Sequence, residues 1–122
     1  MPRVLNKTKG SVVADEVRMA DSLWSRFWGL MGRRSLPEGR ALLLDPCYAI
    51  HTMFMRFSID VIFLDEENRV VKVSPHVKPF RTAVGRGARR ALEIAAGSAA
   101  RAGVEEGDLL IIADDGSLNE PA

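Results

Sequence analysis

Between Cys47 and Asp65 the chain sets polar, titratable side chains into a run that otherwise reads as buried strand: Cys47, His51, Thr52, Arg56 and Asp60 among Ile50, Phe54, Phe57 and Val61-Ile62-Phe63-Leu64. Such groups cost free energy in an apolar setting unless they are paired or serve a task, so the site is sought here. Cys47 and His51 lie four residues apart, and an imidazole beside a thiol is the pairing that activates a nucleophile. Their spacing carries little specificity, and a lone cysteine is most often a small buried hydrophobe. A metal centre is not expected: Cys47, His51, Asp60 and His76 lack any zinc-ligand spacing. Asp60 opens an apolar strand and requires a partner, either Arg56 four residues upstream or backbone amides at a turn.

A second cluster follows. From Asn68 to Leu92 there are seven basic residues and no acid, whereas from Val104 onward there are six acids and no base. The formal net charge of +1 hides this separation, and it argues against a protein built to bind nucleic acid. Lys78 and Arg81, with Phe80 between them, could hold an anion, and His76 stands beside them. The expected site is therefore a groove of His51, Thr52, Arg56 and Asp60, roofed by His76, Lys78 and Arg81. It would take a small anionic molecule or an acidic segment of a partner, without a cofactor. The alternatives are a thiol-dependent hydrolase or transferase using Cys47 and His51, and an interaction protein with no pocket.

The elements that must position these residues are short. Arg3 to Asn6 and Ser11 to Arg18 read as two strands joined around Lys9-Gly10. Asp21 or Ser22 can cap a helix over 22–31, stopped by Gly32, whose wide apolar arc would pack Trp24 and Trp28 on the sheet. Strands are expected at Arg40–Leu44, Ile50–Phe57, Asp60–Asp65, Arg69–Ser74, Arg90–Ala95 and Leu109–Ala113, with one helical turn at Ser98–Ala102. Glu66-Glu67-Asn68 reads as a hairpin turn, and Pro75 to Gly87 as an exposed loop. In a regular strand His51 and Arg56 face opposite ways, so sharing one pocket would need a bulge at Met53–Met55.

At 122 residues, 47% of them hydrophobic, the chain has the size of one domain over residues 1–113, with a loose acidic tail at 114–122. The fold expected is α+β: a compact, β-rich single domain, a partly closed barrel-like sheet with one main helix at about 22–31. No apolar run is long enough to span a membrane, and the start from Met1 to Lys7 has no apolar core of signal-peptide length, so a cytoplasmic protein is expected.

The order of motifs resembles a known family. Trp28-Gly29-Leu30-Met31-Gly32-Arg33, then Cys47, Ile50-His51-Thr52, Met55-Arg56-Phe57 and Ile59-Asp60-Val61-Ile62-Phe63-Leu64-Asp65 look like the bacterial and archaeal domain of unknown function 192. Leu92-Glu93-Ile94-Ala95-Ala96-Gly97 and Gly103-Val104-Glu105-Glu106-Gly107-Asp108 fit its C-terminal pattern, so the likeness runs roughly from Val4 to Ile112. Ser58 stands where that pattern commonly has proline. The resemblance implies one β-rich α+β domain and no particular activity.

Overall fold

The computed structural model describes residues 2–20, 35–52 and 55–113. Among these residues ten short strands run in chain order: β1 (Arg3–Asn6), β2 (Ser11–Ala14), β3 (Glu16–Ala20), β4 (Arg40–Leu44), β5 (Ala49–His51), β6 (Ile59–Leu64), β7 (Val70–Val77), β8 (Thr82–Val84), β9 (Arg90–Ala95) and β10 (Leu110–Ala113). One helical turn, α1 (Ser98–Arg101), follows β9. The helix expected over 22–31, Met53 and Phe54, where a bulge would be needed for His51 and Arg56 to share a pocket, and the tail 114–122 lie outside the described residues.

The centre is a five-stranded sheet in the order β3-β4-β9-β6-β7, parallel only between β3 and β4. Its inner strands are apolar on both faces because both faces are covered. Alternate residues go to opposite sides. Ala41, Leu43, Ile62, Leu64, Leu92 and Ile94 join Val4, Val13 and Leu110 of the three-stranded sheet β10-β1-β2, together with Ala99 and Ala102 at α1. Leu42, Leu44, Ile59, Val61, Phe63 and Ala91 point the other way, onto Cys47, Ile50, Met55 and Ala83. That second layer includes a two-stranded ribbon, β5 with β8.

The β-rich class is as expected, but the barrel is not. The strands form three sheets that do not close, with β3 and β7 as the outer strands of the largest. Three local expectations are also corrected. The stretch 11–18 is two strands in different sheets, parted at Asp15, where the amides of Asp15 and Glu16 both donate to the Gly39 carbonyl (2.7 and 3.0 Å). The strand expected over 50–57 ends at His51. The stretch 75–87 is not all loop: β7 runs to Val77, and β8 occupies Thr82–Val84.

Pro75 stays inside β7 because the ladder bulges around it. Ile59 pairs with Val77 but Val61 with Ser74, so β7 carries one extra residue there, and His76 takes φ 48°.

Candidate functional site

The β5–β8 ribbon is three residues long on each side. Ala49 lies opposite Val84, Ile50 opposite Ala83, and His51 opposite Thr82. Directly opposed residues share a face. Ile50 and Ala83 are buried, and the pairs on either side of them are exposed. His51 and Thr82 therefore stand together on the outer side.

Thr52 turns the chain out of the ladder and fastens the next segment. Its amide donates to the Arg81 carbonyl (2.8 Å), and its own carbonyl accepts from the Phe80 amide (3.0 Å). Its hydroxyl lies 2.5 Å from the Lys78 carbonyl and accepts from the Arg81 amide at 2.8 Å. Phe80 adopts φ 60° in this turn, and the residue is 59% exposed. Lys78 and Arg81 flank it, both exposed. Thr52 itself is fully buried, so it builds the surface without belonging to it.

Asp60 is placed differently. It is fully buried, and its carboxylate accepts three backbone N–H bonds: from His76 at 2.9 Å, Gly97 at 3.0 Å and Ala99 at 2.9 Å. One side chain thus holds both the β7 bulge and the start of α1, a set of partners that suits a charged acceptor. Arg56 is exposed and makes no bond to Asp60. Of the candidates, the structure brings His51, Thr52, Lys78 and Arg81 together, and joins Asp60 with His76 at a separate junction. The imidazole of His76 is beside Gly97.

Cys47 is buried, and its thiol donates to the Ala49 carbonyl at 3.1 Å. No hydrogen bond links it to His51 among the described residues. Among those residues, too, no three His, Cys, Asp or Glu side chains gather as metal ligands, and no helix is long and apolar enough to cross a membrane.

Two features escaped the sequence reading. Asp45 accepts from Arg89 Nε (3.1 Å) and Arg90 Nε (2.8 Å). Burial would raise its carboxyl, but the bonds from Arg90 and Arg89 outweigh this and hold it below the usual range. Glu93 is the second. It sits at the centre of β9, paired in register with Leu42 and Val61, 7% exposed and without a hydrogen bond to any described residue. Burial pushes its carboxyl up to about 7. Its signal was a lone acid within Ala91 to Ala96.

Comparison with known proteins follows the same span. Residues 4–112 match the DUF192 family, described as Uncharacterized ACR. The chain belongs to this family. A UPF0127 protein of Pyrococcus furiosus is 40% identical over 83 residues, covering 64% of this chain and 69% of the relative. Another from Thermococcus kodakarensis is 32% identical over 111 residues, covering 88% and 71%. In structure, DUF192 here resembles a candidate transcription regulator from Sinorhizobium meliloti 1021, with a TM-score of 0.78, 23% identity and 91% of each chain covered. At that identity the likeness is one of fold.

Proposed function

We propose that this DUF192 protein is a cytoplasmic recognition module whose β5–β8 ribbon and the turn fastened to it bind an extended acidic segment of a partner protein. The observation that carries this reading is positive charge without an ion-pair partner among the described residues. The ion pairs among the described residues use Arg3, Lys9, Arg40, Arg89, Arg90 and Arg101. Lys78, Arg81 and Arg86 make none, and they surround an exposed ribbon that also carries His51. Phe80, between Lys78 and Arg81 in the chain, is 59% exposed and adds apolar area beside these two cations. Spread charges on an open ribbon suit a run of acids better than one small anion.

The thiol reading is less favoured. Cys47 is buried, its Sγ bonds the Ala49 carbonyl, and no hydrogen bond joins it to His51 among the described residues, whereas a reactive cysteine sits in an accessible, electropositive setting.

A fluorescein-labelled decaglutamate peptide tests the proposal by anisotropy. Binding should weaken steeply from low to physiological salt. The double reversal Lys78→Glu with Arg81→Glu should weaken it by about tenfold or more, since both side chains are exposed and the fold is kept. Equal affinity in the double variant, or no binding at low salt, overturns the reading. A duplex DNA of equal charge serves as the competitor, and tighter binding to DNA would also overturn it.

A further inference from the structure

At the far end of the ribbon the chain forms a groove of about 440 Å³ lined by Pro46, Cys47, Tyr48, Ala49, Ala88 and Arg89. Its size lies within the range of small-molecule sites. The two walls are sewn together by backbone bonds. The Cys47 amide donates to the Arg89 carbonyl (2.7 Å), the Gly85 amide to the Tyr48 carbonyl (2.8 Å), and the Ala88 amide to the Gly85 carbonyl (3.1 Å). Backbone polarity on this side is therefore largely consumed, and the lining that remains is a proline ring, two alanines, a tyrosine ring and one guanidinium.

That guanidinium is positioned and incompletely used. Asp45 engages its Nε at 3.1 Å, and neither Nη bonds a described residue. Two arginines share the single carboxylate of Asp45, so one positive charge of the cluster is left without a counter-ion among the described residues. Arg90 spends its own Nη1 on the carbonyls of Asp65 and Glu66 and on Asn68. The open charge thus falls to Arg89, at the groove. An apolar wall beside N–H donors that bond no described residue matches an apolar ring that carries a carboxylate, because a guanidinium can hold both oxygens at once.

We propose that this groove is a binding site for a small aromatic carboxylate, the ring lying against Pro46, Ala49 and Ala88 and the carboxylate on the Nη atoms of Arg89. The site goes beyond the acidic-segment reading and does not depend on it, since Lys78 and Arg81 take no part in the lining.

Phenylacetate titrated into ¹⁵N-labelled protein is the test. The result expected is saturable shifts confined to the amides of 47–49 and 85–89, with a dissociation constant on the order of 1 mM. 2-Phenylethanol, which keeps the ring and lacks the charge, should bind about tenfold more weakly. Arg89→Gln should weaken phenylacetate to the level of the alcohol. Ala49→Trp, made at an exposed position, should block the groove and abolish the shifts while the rest of the spectrum stays folded. Lys78→Glu with Arg81→Glu should leave phenylacetate binding unchanged. Shifts that never saturate or that map elsewhere, an alcohol that binds as well as the acid, or undiminished binding in Ala49→Trp would each overturn the proposal.

Discussion

Glu93 is the residue with most at stake in its environment. A carboxylate flanked by Leu42 and Val61 on the central strand, with no bond to a described residue, is costly when ionised, so the folded state keeps its proton. Its pKa rises from 4.5 to about 7. Between those values the unfolded chain releases the proton first. The folded state then binds more protons, and stability falls as pH rises from about 4.5 to 7, levelling off above. The full effect is about 3 kcal/mol. Glu93→Gln should match the parent at pH 4 and exceed it by about 3 kcal/mol at pH 8 in urea denaturation. A variant less stable than the parent at pH 8 would mean that the ionised carboxylate is held by a partner. Asp108 acts with the opposite sign. Burial would raise its carboxyl, but bonds from Asn6, Lys9 and the Glu105 amide hold it low, so its contribution is lost only as pH falls through the acid range. The two windows are separate.

Among the elements, the ribbon depends on a close approach. A Cβ on Gly85 would stand 2.3 Å from Cγ of Phe63, whose ring is fully buried and cannot withdraw. Gly85→Ala should cost about 2–3 kcal/mol through overpacking and lift β8 from its bond to Tyr48. At Gly87 nothing stands within 4 Å, and only φ +82° is at issue, so Gly87→Ala should cost about 1 kcal/mol. Thermal denaturation of the pair checks the order; a milder effect at Gly85 would contradict the packing described. Legibility in the sequence also divides along elements. Arg3–Asn6, Arg40–Leu44 and Arg90–Ala95 were plain because their apolar runs end at turn residues. The end of β5 was not, since 50–57 keeps a strand-like pattern while Thr52 spends its backbone and hydroxyl on 78–81. Nor was the strand content of 75–87, because a bulge absorbs Pro75 and Gly85 serves packing, not a turn. The need of Asp60 for partners was legible from its apolar neighbours. That the partners are the amides of His76, Gly97 and Ala99 was not, because they come from 16 to 39 residues away.

For the molecule as a whole, strand patterns marked eight strand segments but missed the break at Asp15 and the strand β8, and they did not say which strands neighbour each other; a barrel expectation gave way to a sheet covered on both sides. One cover is a second sheet with α1, and the other includes the β5–β8 ribbon. That division leaves acids and bases in different places. Lys9 bridges Asp108 beside the three-stranded sheet, whereas Lys78, Arg81 and Arg86 remain without ion-pair partners among the described residues on the opposite cover. Recognition of acidic chains by that cover is the central claim. The most direct measurement is a ¹H–¹⁵N spectrum of the labelled protein titrated with unlabelled decaglutamate at low salt. The account predicts saturable shifts at His51, Thr52, Lys78 and 80–84, absent for β1, β2 and β10. Shifts confined to those three strands, or none at all, would contradict it.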